Sequence, residues 1–282
     1  MKTHYITSCS IGGLHKLAYS SWGDNDNPNV LICSHGLTRN RHDFDLLAEK
    51  LSSKRRVICF DLPGRGESDW LNNKMAYDYN QYTVDALMVI ARSGAETVDW
   101  LGTSMGGLLG MALASLNNSP IRKLILNDVG PLVPKAALLR IADYVGQQPQ
   151  VDTPAELKAY IKTIYAGFGE LSDEQWQQML QFGQRTLKNG KLTLNYDPDI
   201  SVVFKSKPLE DIDLWPLWAN IEQETLVIRG ETSDLLQLAT AEKMLSSKPN
   251  AKLINIPNTA HSPALMNDTD IAQIENWLDS TK

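Results

Sequence analysis

The 282-residue chain is poor in the features that mark several large protein classes. It has only three cysteines, Cys9, Cys33 and Cys59, an odd number with no CxxC spacing, which excludes a disulfide framework or a cysteine-rich zinc module. Cys33 and Cys59 sit in the apolar runs VLICS and VICFD and read as small buried core residues. Basic residues are not in excess. Lys plus Arg is 27 against 33 Asp plus Glu, a net charge of −6, so the chain lacks the phosphate-neutralising charge of a nucleic-acid binder. The longest nearly apolar run, Met105–Leu116, has 12 residues, well short of the ~18–20 that cross a bilayer. The N-terminal MKTHYITSCSIGG has no apolar stretch of signal-peptide length. These absences lead to the expectation of a cytoplasmic protein with no membrane insertion; they say nothing of its oligomeric state. No G-x-x-x-x-G-K-[ST] phosphate loop and no H-E-x-x-H pair occurs, and Gly64-Arg65-Gly66 lacks the third glycine of a dinucleotide fingerprint. No cofactor, no metal and no nucleic acid are expected, and the partner is expected to be a small molecule.

What is present is a globular composition, 43% hydrophobic and 21% charged, on a chain long enough for one large domain or a domain with an insertion. Short apolar runs alternate with longer stretches of helical periodicity. Val30–Ser34, Arg56–Phe60, Val98–Leu101 and Arg122–Leu126 read as strands. Between them Arg41–Leu51, Tyr82–Ala91 and Met105–Leu116 read as helices. Strands apolar on both faces and separated by helices describe a parallel sheet covered on both sides. From Pro131 to about Asp213 the rhythm changes to helices, expected over Lys135–Val145, Ala155–Ala166 and Asp173–Leu187, each opened by a Pro, Ser or Thr signal. The alternation resumes with strand Thr225–Arg229, helix Ala239–Leu245, strand Leu253–Ile256 and helix Ile271–Leu278. The chain thus divides into a core of 1–130 and 214–282 and a helical insertion of 131–213.

Gly102-Thr103-Ser104-Met105-Gly106 fits G-x-S-x-G, a pattern expected by chance about 0.1 times in such a chain. It joins the strand-like VDWL to the helix-like MGGLLGMALASL, the context of a nucleophile elbow. A tight turn there leaves no room for side chains two residues either side of the serine, hence Gly102 and Gly106. It also aims the first helix amides at a developing oxyanion.

A serine needs a base, and the chain has only five histidines. His4 and His15 are expected on surface hairpins, and His35 and His42 before and within the first helix. His261 follows the last strand, at the sheet edge that also carries Ser104, and is the expected general base. Asp234, 27 residues before it, is the expected carboxylate orienting His261. Asp128 and Glu231 lie at the same edge and are alternatives; otherwise Glu231 braces its loop and Asp128 bonds backbone near the insertion. His35-Gly36-Leu37 ends the first apolar strand. There Gly36 permits a sharp reversal, the Leu37 and Met105 amides form an oxyanion hole, and His35 serves as a structural hydrogen-bonder.

Together these residues resemble the α/β-hydrolase superfamily over about residues 15–131 and 214–280. The resemblance rests on the His35-Gly36-Leu37 turn, the Asp61–Ser68 stretch in the pattern D-x-x-G-x-G-x-S, the Gly102–Gly106 elbow, Asp234 and His261. It implies a mostly parallel eight-stranded sheet with helices on both faces and a helical cap inserted after the sixth strand, where 131–213 falls. Similar proteins that open epoxides or displace halide place Asp at the elbow, so Ser104 disfavours that branch.

The function expected is a serine carboxylesterase acting on small to medium, fairly apolar esters. Thioesterases, lactonases, perhydrolases and C–C bond hydrolases remain alternatives with the same triad, and a non-catalytic ligand binder is a distant third. Lys158, Lys162, Arg185, Lys188 and Lys191 are spread along the insertion, so a strongly anionic substrate is not favoured.

Overall fold

The computed structural model describes residues 3–206 and 208–280. Eight strands form one sheet: β1 (Thr3–Ser10), β2 (Gly13–Trp22), β3 (Val30–Ser34), β4 (Arg56–Phe60), β5 (Val98–Thr103), β6 (Ile121–Asn127), β7 (Glu224–Gly230) and β8 (Ala251–Ile256). Their spatial order is β1-β2-β4-β3-β5-β6-β7-β8. The β1–β2 hairpin and the β2–β4 pair are antiparallel, and every pair from β4 to β8 is parallel. Parallel neighbours require crossovers, which the helices supply. They are α1 (Asp45–Leu51), α2 (Tyr79–Ser93), α3 (Met105–Ala114), α4 (Lys135–Tyr144), α5 (Pro154–Ile164), α6 (Asp173–Gly183), α7 (Ile200–Lys205), α8 (Trp215–Ala219), α9 (Leu238–Ser247) and α10 (Asp268–Asp279).

The period-2 alternation of strand side chains builds two cores. On one face Ile32, Ile58, Phe60, Trp100, Leu124 and Leu126 pack with Val89 of α2 and Leu109 of α3. On the other, Leu31, Cys33, Val57, Cys59, Leu101 and Ile125 pack with Leu47 of α1 and Ile274 of α10. All five residues of β3 are buried, which explains an unbroken apolar run where a one-sided sheet would alternate. Each such Leu or Ile contributes about 1.5–3 kcal/mol by leaving water.

The sheet's first two strands correct one expectation. His15 is not on a surface hairpin; it is buried on β2, its Nε2 2.9 Å from Asp85 Oδ1 of α2. No helix among the described residues is long and apolar enough to cross a membrane.

The stretch between β6 and α8 carries α4 to α7. Two of its helices begin as their sequence signals require: Thr153 with Glu156 and Ser172 with Gln175 form capping boxes, and Pro154 opens α5. The expected helix to Leu187 stops four residues early. Gln184–Thr186 is instead a strand paired with Leu192–Leu194 across an Asn189-Gly190 turn, with Gly190 at φ +81°. An Asn-Gly pair between two short extended runs is a hairpin signal that the helical spacing had masked.

This stretch lies against the carboxyl edge of the sheet. The Tyr165 hydroxyl hydrogen-bonds Thr38 Oγ1 (2.9 Å), Gln175 Nε2 donates to the Met266 carbonyl (2.8 Å), and the Tyr77 hydroxyl donates to buried Asp197 (2.6 Å). The stretch enters and leaves through one two-rung ladder, Val133 opposite Ile212 and Leu132 opposite Asp213.

Candidate active site

Ser104 sits between β5 and α3 with φ +52° and ψ −114°, a conformation L-residues rarely occupy. The glycines around it are sterically required. A Cβ on Gly102 would lie 2.1 Å from the Gly106 carbonyl oxygen, and one on Gly106 would lie 2.2 Å from that of Ser34. The turn therefore wedges against β3 on one side and the first turn of α3 on the other.

His261, in the loop after β8, turns its Nε2 to Ser104 Oγ at 2.9 Å and its Nδ1 to Asp128 Oδ2 at 2.7 Å. A carboxylate only accepts, so Nδ1 carries the proton and Nε2 is left to accept from the serine hydroxyl. The acid on His261 is thus Asp128, and the contact expected of Asp234 is not made. Asp234 instead forms a two-pronged pair with Arg140 of α4, Nε–Oδ2 2.6 Å and Nη2–Oδ1 2.8 Å, and both side chains are half exposed.

The reason is topological. Asp128 directly follows β6, which lies between the strand leading to Ser104 and β7, so its side chain starts inside the sheet edge. It is fully buried at φ +56°, and its N–H donates to the Ile228 carbonyl (2.8 Å). The Gly230 N–H donates to Oδ1 (2.8 Å) and the Ser233 hydroxyl to Oδ2 (2.6 Å). Gly230 also lets the histidine loop close in, since a Cβ there would lie 2.2 Å from the Ala260 carbonyl oxygen. Glu231 takes the Asn258 N–H at 3.0 Å and so ties the loops after β7 and β8 together.

At the end of β3, His35 is fully buried. Its Nδ1 donates to the Gly36 carbonyl (2.7 Å), and its Nε2 accepts the Leu62 N–H (3.0 Å). Burial pushes its pKa down to about 3, so the ring is neutral at physiological pH. The turn at Gly36 lies beside Ser104, but a Cβ there would sit in ordinary contact 3.8 Å from Ser104 Cβ and the residue has no left-handed φ, so the expected need for glycine at this reversal is not met. The Leu37 and Met105 N–H groups donate to no backbone carbonyl among the described residues.

Sequence reasoning missed what holds this turn. Arg65, fully buried, donates from Nε to the Leu37 carbonyl (2.9 Å) and from Nη1 to the Pro63 carbonyl and the Tyr82 hydroxyl (both 2.8 Å). Its guanidinium also lies 5.1 Å from the Tyr82 ring centre. The clue was an arginine between two glycines in the Asp61–Ser68 stretch. Asn127 was missed as well: its Nδ2 links Thr103 Oγ1 (3.0 Å) to the Pro263 carbonyl (2.8 Å), fastening the histidine loop to the end of β5.

Two spaces meet at Ser104. One, about 200 Å³, runs between α2, α3 and the stretch after β6, lined by apolar side chains such as Leu108, Val129, Val133, Leu138 and Phe204. The other is a narrow cleft of about 50 Å³ walled by Arg39, Arg140, Tyr144, Tyr165, Phe168 and His261. Among the described residues no group of three or more His, Cys, Asp or Glu is placed to hold a metal ion.

A sheet of this order with a serine turn after its fifth strand defines a class, and the chain belongs to it: residues 29–268 match the family model described as the alpha/beta hydrolase fold. Among its relatives is a 3-hydroxybutyrate-oligomer hydrolase of Cupriavidus necator, 41% identical over 95% of this chain and 94% of that protein. A crystal structure from Rickettsia typhi superposes over 100% of both chains with TM-score 0.93 at 36% identity. An alpha/beta hydrolase from Novosphingobium aromaticivorans does so over 99% and 98%, with TM-score 0.87 at 35% identity.

Proposed function

We propose that the protein hydrolyses carboxylic esters through an acyl-enzyme on Ser104. The observation that supports this reading is the continuous hydrogen-bonded chain Ser104–His261–Asp128, at 2.9 and 2.7 Å. Ser104 Oγ attacks the ester carbonyl carbon as its proton passes to His261 Nε2. The Leu37 and Met105 N–H groups take the charge that develops on the carbonyl oxygen, each such donor being worth about 10²–10³ in rate. His261 then gives its proton to the departing alcohol oxygen as the C–O bond breaks. Water repeats the attack with His261 again as base, the acid leaves, and Ser104 regains its hydrogen. Asp128 keeps the Nδ1 proton in place and offsets the imidazolium charge in both halves.

In this reading residues 131–213 serve as a cap over a core of 1–130 and 214–282. Ile141, Tyr144, Tyr165 and Phe168 of the cap wall the cleft above Ser104.

The substrate class proposed is short oligoesters of hydroxy acids. The Cupriavidus necator relative carries the name of such an activity at 41% identity. The apolar space of about 200 Å³ suits a short acyl chain. The test is intact-mass analysis after a fluorophosphonate, with peptide mapping, beside a panel of 3-hydroxybutyrate oligomers, aryl esters, thioesters and a vinylogous 1,5-diketone. One adduct on Ser104, with oligoesters giving the highest kcat/KM, is expected. No adduct on folded protein would overturn the serine mechanism. An adduct with faster thioester or C–C cleavage would overturn only the substrate class.

A further inference from the structure

Of the cationic side chains that the sequence offers in 131–213, Lys158, Lys162, Arg185, Lys188 and Lys191 do not line the cleft at Ser104. Arg140 does, and so does Arg39 from the loop after β3. The two arginines differ in how they are held. Arg39 is buried, paired with Asp43 through Nε (2.9 Å) and Nη2 (2.5 Å), and lies 4.7 Å from the Tyr165 ring centre. Such a group is committed to its partners, because removing one leaves a buried charge uncompensated. Arg140 is half exposed and meets one carboxylate, Asp234, through Nε and Nη2. Its Nη1 donates to no acceptor among the described residues. A half-exposed pair of this kind adds little net stability, so exchanging one carboxylate for another is cheap.

Resting on the ester-hydrolase reading, we propose that Arg140 is a binding site for a carboxylate carried by the substrate, and that Asp234 is the internal carboxylate the substrate displaces. The planar fork of a guanidinium fits any carboxylate in the two-pronged manner Asp234 already displays. The two spaces at Ser104 then have separate tasks. The apolar one takes the acyl half of the ester, and the cleft under Arg140 takes an alcohol half that ends in a carboxylate. An oligoester of hydroxy acids has this polarity at its last linkage, so the enzyme cuts the ester nearest the free carboxyl end and releases one hydroxy acid per turnover.

The experiment compares kcat/KM for a 3-hydroxybutyrate dimer with a free carboxylate against the same dimer capped as a primary amide. Arg140→Gln is expected to lower the acid-to-amide ratio about 10- to 100-fold, the scale of a charge-assisted pair, and Arg140→Lys is expected to lower it less. Asp234→Asn removes the competitor and is expected to raise the ratio. A ratio that Arg140→Gln leaves in place, or that Asp234→Asn lowers, overturns the proposal. Calorimetric binding of 3-hydroxybutyrate to the Ser104→Ala protein separates this from failure of the ester reading. Affinity must drop when Arg140→Gln is added, whatever reaction the enzyme catalyses, and no binding or equal affinity overturns the carboxylate site.

Discussion

Asp128 and His261 stand 133 residues apart in the chain and meet across 2.7 Å. Asp128 is gripped on both oxygens, by Gly230 and by Ser233, so it has no freedom to turn away from the ring. An amide at 128 would present an N–H where an acceptor is required and would favour the wrong imidazole tautomer. Asp128→Asn is therefore expected to lower kcat by about 10⁴. Asp234→Asn, which breaks only a half-exposed pair, should cost less than about tenfold on an aryl ester. Steady-state kinetics on the two variants checks this, and a larger loss in Asp234→Asn would return the acid's role to that residue.

Neutral His35 makes stability sensitive to acid. Its folded pKa, about 3, lies below the ordinary imidazole value because burial penalises the charged ring. The unfolded chain takes up a proton as pH falls through about 6.5, while the folded protein does not until about 3. His35 stabilises fully above that window and progressively less within it, a loss on the order of 5 kcal/mol across the whole range. Urea unfolding between pH 7 and 4 should show this slope, and His35→Leu, although less stable at pH 7, should show a shallower one.

The elbow glycines are expected to tolerate no side chain. In Gly106→Ala the added Cβ meets backbone of β3 that cannot move without shifting the sheet, and a cost of about 3 kcal/mol or more follows. Gly94, at φ +74° with open space around it, provides the contrast: alanine there should cost only about 1 kcal/mol of backbone strain. Thermal melts should separate the two clearly, with Gly106→Ala roughly 6–12 °C lower than wild type.

In the proposed mechanism Arg65 is a positioning residue, since its Nε donates to the Leu37 carbonyl. Arg65→Ala should lower kcat about 10- to 100-fold while KM changes little, because the aligned amide matters most when charge develops on the carbonyl oxygen. A proportionate rise in KM with kcat intact would mean that Arg65 only shapes the pocket.

The parts of this molecule legible in the sequence are those dictated locally. The apolar run Val30–Ser34, the G-x-S-x-G turn and the capping signals at Thr153 and Ser172 each depend on neighbours a few residues away. The acid on His261 does not. Both Asp128 and Asp234 follow parallel strands and precede His261, and only the lateral order β5-β6-β7 brings the first of them to the ring. Nothing local singles out Arg140 on helix α4 either, and only the fold sets Asp234 opposite it. The Gln184–Leu194 hairpin was hidden because the helical spacing of α6 runs smoothly into it, and the Asn-Gly pair was the overlooked signal.

The two-rung ladder of Leu132–Val133 with Ile212–Asp213 brings the ends of a long excursion to one point. Ser104, Asp128 and His261 all lie outside that excursion, and Asp128 is fixed by residues that follow it in the chain. In the proposed reading, the region that chooses the substrate thus joins the region that would perform the chemistry at a single point along the chain, while Tyr165, Gln175 and Asp197 fasten it to the core from the side. A segment spliced between residues 133 and 212 has only a small gap to close, and what it must replace are the cross-links Tyr165–Thr38, Gln175–Met266 and Asp197–Tyr77. In that reading, transplantation of the segment, in nature or in the laboratory, changes recognition while Ser104, Asp128 and His261 stay where they are.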